Sequence, residues 1–376
     1  MKYTVKSKIV VIARILLGLV FVFSGYVKAV DPLGSTYKIQ DYMAAMGLDF
    51  FAPIALVIGI GLAAFEFLIG VCLVLGTNLK STSILAIIMM CFMTPLTLWI
   101  AIADPVTDCG CFGDALVISN WQTFWKNVVL TALVIALLCT KRYIPQTFVR
   151  WAELSIALLG AALAGGLMLY THYHLPLIDF RPYKIGNNIP ELMEIPDDAP
   201  HDEYAVTLIY EKDGVEQEFT LQDYPRGDSS WHFVDQQSKL IKKGYEPPIH
   251  DFELINYEGE DLTYDLLEEE HVTLVVMYDL QKADLNQLPK LAQLCKVNQQ
   301  EEQPVYILTS ATDEQIEDFI TQHDDVLEES WRELFLTADG IMLKTIVRAN
   351  PGVFVINNGT IIDKYNLRDR SFAAER

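Results

Sequence analysis

The stretch Pro53–Leu75, PIALVIGIGLAAFEFLIGVCLVL, decides the fold, because its only charged residue is Glu66. A hydrocarbon core takes about 20 apolar residues to cross as a helix. Four other stretches are of the same kind: Ile9–Val27, Ser83–Ala103, Phe124–Cys139 and Ala152–Tyr170. The expected N-terminal part is therefore an all-α membrane bundle, with a four-helix core and a fifth span. The first stretch follows Lys2, Lys6 and Lys8, as in a secretory leader, but no small-x-small cleavage site follows, so a retained helix is expected.

Charge divides the chain in two. Before Thr171 there are 11 Lys+Arg against 8 Asp+Glu, which leaves 17 against 41 for the remainder of a chain with net charge −21. An acidic surface of that size excludes a nucleic-acid partner, since phosphate contacts need cations to replace the released counterions. Cations in short loops orient a bundle. Lys2, Lys6 and Lys8, then Lys80, then Lys141, Arg142 and Arg150 mark cytoplasmic flanks, whereas Asp104–Trp121 has no Lys or Arg. Five crossings then place the N-terminus in the cytoplasm and everything after Tyr170 outside, which implies a bacterial cytoplasmic membrane with a periplasmic C-terminal domain.

Four regions are expected: a membrane domain over 1–171, a linker over 172–203, a small β-module over 204–243 and an α/β domain over 244–376. The linker reading rests on Pro, Asn and Asp without periodicity, and implies no core of its own. In the module, Tyr204–Tyr210 and Glu216–Leu221 alternate around Lys212-Asp213-Gly214, and Trp231–Val234 adds a strand. Beyond Gly244, strands Val272–Tyr278 and Val305–Leu308 alternate with helices Leu285–Val297 and Glu314–Gln322. Asn357-Asn358-Gly359 joins a closing hairpin, Gly352–Ile356 and Thr360–Tyr365.

Cys109-Gly110-Cys111, flanked by Asp108 and Asp114, is the one motif with obvious chemistry. A disulfide across three residues restricts the unfolded chain by about 1.6 kcal/mol, against about 3 for a 15-residue loop, so it makes a poor staple. Strained, exposed disulfides exchange readily. Three readings stand: redox-active thiols, a permanently oxidised clip, or a soft-metal site, the last needing more ligands than Asp108 and Asp114 supply; no metal is expected. The two aspartates oppose thiolate formation, and Lys28 or Lys126 would have to supply the missing cation through the fold. Cys72, Cys91, Cys139 and Cys295 read as packing residues, and His172 and His174 as interfacial anchors. Arg14 lies about 9 Å into the first span and Glu66 about 15 Å into the second, depths that allow an intramembrane pair. Serine-hydrolase, phosphate-loop and dinucleotide signatures are absent from the sequence.

The strings Arg14-Ile15-Leu16-Leu17-Gly18, Phe23-Ser24-Gly25-Tyr26-Val27-Lys28, Glu66-Phe67-Leu68-Ile69-Gly70 and Asp108-Cys109-Gly110-Cys111-Phe112-Gly113-Asp114 resemble the DoxX and MauE group of membrane proteins. That resemblance implies thiol–disulfide chemistry supporting exported proteins and electron transfer to a quinone. Pro247–Leu254, Leu274–Tyr278 and Asn350–Ile356 resemble a thioredoxin-like domain of the TlpA or peroxiredoxin-related type over about 245–365, in which the proline matching Pro351 is cis and faces the active site. The family's Cys-x-x-Cys is replaced by Tyr278-Asp279-Leu280-Gln281-Lys282-Ala283, so a redox-inactive binding domain is expected. Two functions follow. Either Cys109 and Cys111 exchange with exported thiols, or the chain is a non-catalytic scaffold that binds a partner protein through its vacated thioredoxin-like face.

Overall fold

A computed structural model describes residues 5–106, 108–140, 148–242 and 244–372. Lys2, Lys141 and Arg142, used above for orientation, lie outside the described residues.

Among the described residues five helices are long and apolar enough to cross a membrane: α1 (Val5–Val30), α3 (Ala55–Leu75), α4 (Leu79–Ala103), α5 (Asn120–Thr140) and α6 (Arg150–Tyr173), with α2 (Pro32–Ala45) between the first two. The helices α1 and α3 pack at backbone distance. A Cβ on Gly25 would lie 2.5 Å from Phe67 N, and one on Gly70 would lie 2.4 Å from Val22 N. Small residues permit such approach where van der Waals packing, and not a hydrophobic gradient, holds helices together. The fourth span starts four residues earlier than its apolar run, because Asn120 at the head of α5 donates to Asp104 Oδ1 and Val106 O, each at 2.8 Å.

Hydropathy did not reveal α2. Its start is nevertheless written in the sequence: Asp31 caps Gly34 N at 2.9 Å and Pro32 occupies the first turn. The first helix also outlasts its apolar run, so Lys28, just beyond the expected span Ile9–Val27, is a buried residue of its last turn. Cys72 is packed as expected, whereas Cys91 and Cys139 are exposed on the outside of the bundle.

The region after α6 is β-rich. The strands β1 (Glu203–Lys212), β2 (Val215–Thr220) and β3 (His232–Lys242) form an antiparallel sheet of order β2-β1-β3, turning at Asp213-Gly214 with positive φ at both. A second sheet holds β4 (Val272–Val276), β5 (Val305–Thr309), β6 (Phe335–Thr337), β7 (Gly352–Asn357) and β8 (Thr360–Asn366) in the order β6-β5-β4-β7-β8. In it β4 runs parallel to β5 and antiparallel to β7. Its two faces carry separate apolar cores, one around Val275, Leu291 and Ile307, where Cys295 packs, the other around Leu274, Leu343 and Phe354.

Residues 172–203 are not a free tether. Tyr183 and Ile189 are buried in the second core, and Gly186 N and Ile189 N donate to Ile361 O and Gly359 O, each at 2.8 Å. Below them Asp179 joins Arg181 Nε at 2.7 Å and also Lys364, in a buried cluster. Irregular chain held by backbone hydrogen bonds at a sheet margin leaves no periodicity to read.

Candidate functional site

The Cys-Gly-Cys loop sits where α1, α2, α3 and α5 meet, at the end of the bundle that carries the C-terminal region. Gly110 takes φ +61, a left-handed conformation that costs a side-chain-bearing residue about 1–2 kcal/mol, and a Cβ there would meet Lys38 Cγ at 2.9 Å. Asp108 shapes the same turn by accepting Gly110 N at 2.7 Å. Both cysteines are free thiols and both are buried, Cys109 at 8% and Cys111 at 7% exposure. The expected exposed pair is therefore enclosed, and its side chains hydrogen-bond each other.

Beneath Cys111 lies a group that the sequence placed on separate strings. Lys28 Nζ donates to Ser24 Oγ at 2.8 Å, Glu66 Oε2 at 2.7 Å and Cys111 O at 2.8 Å. An ammonium has three donors, and all three are used. Ser24 Oγ lies 2.7 Å from Glu66 Oε2 and 2.8 Å from Cys111 O. Ser24 and Lys28 stand one turn apart on α1, the spacing that puts side chains on one face. Glu66 thus pairs with Lys28 and not, as expected, with Arg14. Arg14 instead donates to Val74 O at 3.3 Å, at the C-terminal end of α3, where carbonyls favour a cation.

A second cation approaches from α5: Lys126 Nζ lies 4.2 Å from the centroid of Phe112, the residue after Cys111. The neighbouring carboxylates have cationic partners. Lys38 Nζ binds Asp108 Oδ2 at 2.7 Å, and Arg348 binds Asp114 Oδ2 at 3.3 Å. The Cys109 thiol, then Lys126 and Lys28, hold Cys111 below the ordinary thiol range against the opposition of burial and Glu66. The hydrogen bond to Cys111 and burial push Cys109 up. Tyr42 donates to Cys109 O, and burial together with the two thiols keeps its phenol protonated.

A cavity of about 30 Å³ adjoins Cys111, lined by Ser24, Glu66, Met90, Lys126 and Asn127. Small-molecule pockets run to about 300–1,000 Å³, so this one is too small for a quinone ring. A groove of about 760 Å³ beside Thr77, Asn78 and Trp151 opens at the other end of the bundle.

At the loop's end of the bundle the C-terminal region contacts the loop and α2. Arg348 Nε reaches Asp31 Oδ2 at 2.9 Å, and its guanidinium lies 5.3 Å from the centroid of Tyr37. Tyr37 Oη lies 3.3 Å from Tyr278 Oη, just beyond β4. The Asn350–Pro351 bond is cis, and Asn350 Nδ2 donates to Asp279 O at 2.7 Å, so Pro351 lies beside the Tyr278–Ala283 segment. His174, expected as an interfacial anchor, binds Asp369 at 2.6 Å and ties the end of α6 to the C-terminal region. Lys28 and Lys126, named from the sequence as the cations the fold would have to supply, both lie near Cys111, whereas Ser24 and Arg348 were not expected in the site. Phe23–Lys28 was quoted as a string, and an i, i+4 Ser–Lys pair opposite an intramembrane Glu was the available signal.

Residues 6–140 match the family described as methylamine utilisation protein MauE, and residues 204–243 match a domain of unknown function, DUF8463. No curated protein and no solved structure matches the chain. The match and the five apolar helices together support a membrane protein whose N-terminal region is similar to the MauE family, followed by a β-rich C-terminal region.

Proposed function

We propose that the chain is a thiol–disulfide exchange component of a bacterial cytoplasmic membrane, with Cys109 and Cys111 as its redox pair on the periplasmic side. The observation that carries this reading is the pairing of two free, adjacent thiols with two cations near Cys111, while Asp108 is paired with Lys38 and Asp114 shares Arg348 with Asp31. Low-pKa thiolates next to cations are the reactive form of cysteine. The reaction is written with an exported protein as partner. Two thiols of the pair and one partner disulfide become a Cys109–Cys111 disulfide and a partner dithiol, two electrons and two protons passing to the partner. The reverse reaction oxidises it. The cavity by Cys111 does not fit a quinone, so no step of the exchange runs through one.

The C-terminal sheet domain, read as thioredoxin-like without a redox pair, covers the loop and would present the partner. A scaffold function is the second reading. It is favoured by Tyr278, on the face where the thioredoxin-like family keeps its cysteines, being engaged with Tyr37 of the same chain.

Single variants Cys111→Ser and Cys109→Ser, quenched with acid in intact cells, test the exchange. One of them accumulates a reductant-sensitive adduct with another protein. Absence of any adduct on either variant, with full function of the double variant, overturns the exchange reading and leaves the scaffold.

A further inference from the structure

We propose that Cys109 is the sulfur that exchanges with the partner and Cys111 the departing thiolate, held in place by the buried Lys28–Ser24–Glu66 triad as a positioning group. This inference rests on the exchange reading above. In the oxidising direction, a partner thiolate attacks Cys109 Sγ, the Cys109–Cys111 bond breaks, and Cys111 leaves with the electron pair. A second partner thiolate then attacks the partner's own sulfur in the mixed disulfide and releases Cys109, which takes a proton.

Three observations assign the roles. First, the loop is anchored asymmetrically. The Cys111 carbonyl is bound from below by Lys28 and Ser24, while the Cys109 carbonyl is bound by Tyr42 of the outer helix α2. Cys111 lines the internal cavity; Cys109 does not. Second, the groups facing Cys111 come from every neighbouring element: Lys28 from α1, Glu66 from α3, Lys126 from α5, Tyr42 from α2, and Cys109 within the loop. The two cations outnumber the one carboxylate, and a thiolate that is stabilised in this way leaves faster. Third, all three Lys28 donors are already committed, so Lys28 hands no proton to sulfur. It acts through its charge and by fixing the Cys111 backbone. Glu66 fixes Lys28 in turn; without a partner a buried ammonium would lose its charge. Both Lys28 and Glu66 are needed, although only Lys28 favours the thiolate.

Two measurements separate this inference from the exchange reading. In the trapping experiment, the adduct forms on Cys109 of the Cys111→Ser variant. An adduct found only on Cys111 of Cys109→Ser overturns the role assignment while preserving exchange. In the second, the reduced purified protein in detergent is pulsed with iodoacetamide between pH 5 and 10, and the Cys111:Cys109 labelling ratio is read by mass spectrometry, so that loop opening cancels. Lys28→Met/Glu66→Leu, which removes both charges without stranding either, lowers the ratio at pH 7 about tenfold, equivalent to one pK unit. Lys28→Arg keeps the ratio within about threefold of wild type. A folded double variant whose ratio follows the wild-type curve overturns the positioning role. Where the double variant does not fold, Ser24→Ala decides the matter: it retains the ion pair and lowers the ratio about threefold, and an unchanged ratio overturns the role.

Discussion

Replacing Arg348 with methionine should unlock the thiol loop without touching it. Arg348 is 7% exposed and holds Asp31 at the head of α2 and Asp114 three residues after Cys111. Removing one partner of a buried pair costs about 3–5 kcal/mol, because the other charge is left stranded. Here the stranded charges are only partly buried: the Asp31 side chain is 17% exposed and that of Asp114 is 43%. Asp114 therefore contributes little, as surface pairs do, and about 2 kcal/mol remains, mainly through Asp31. Methionine preserves the apolar contact of the stem. A loss of about 2 kcal/mol raises the population of the undocked state about 30-fold, at 1.4 kcal/mol per decade. The assay is the rate of Cys109 and Cys111 alkylation by a bulky, membrane-impermeant maleimide on native protein, under conditions where labelling follows the open fraction. A rise of ten- to a hundredfold is expected, with Arg368→Gln, which loosens a surface pair with Asp284, as the unaffected control. An Arg348→Met rate equal to wild type would refute the idea that the C-terminal region covers the thiols.

Further outcomes follow from the same contacts. Gly110→Ala forces a side chain into φ +61 and onto Lys38, and should lower stability by about 1–2 kcal/mol, read as a drop in Tm in detergent. Burial opposes ionisation of Asp179, but Arg181 and Lys364 outweigh it and hold its carboxyl below the ordinary range. A depressed carboxyl contributes stability above its unfolded value, about 3.9, that is lost as pH falls through the folded value. Asp179→Asn should accordingly destabilise the C-terminal region at neutral pH and flatten its acid-unfolding limb, as followed by circular dichroism.

The five membrane-capable helices were legible because hydropathy integrates over some 20 residues, and one misplaced residue cannot hide a span. The Cys-Gly-Cys motif was legible as chemistry but not as geometry. Cys109 and Cys111 read as loop residues, yet both are buried, with Tyr42 of α2 on the Cys109 carbonyl and Ser24 and Lys28 of α1 on that of Cys111. Arg14 and Glu66 were matched by depth alone, and depth does not specify which face of a helix meets its neighbour. The backbone contacts at Gly25 and Gly70 fix that face, turning Ser24 and Lys28 toward Glu66. The helix α2 was readable at Asp31-Pro32, though no long apolar run drew attention to it. Residues 172–203 were misread because their order comes from strand edges far away in the chain, through contacts that carry no local pattern.

The redox state of Cys109 and Cys111 in growing cells tests the central claim most directly. After acid quench and labelling with a mass-tagged maleimide, a mixture of reduced and disulfide forms is expected, moving wholly to reduced when a membrane-impermeant phosphine is added outside and back on its removal. A single form that neither reagent nor growth condition changes would contradict an exchanging pair on the periplasmic face.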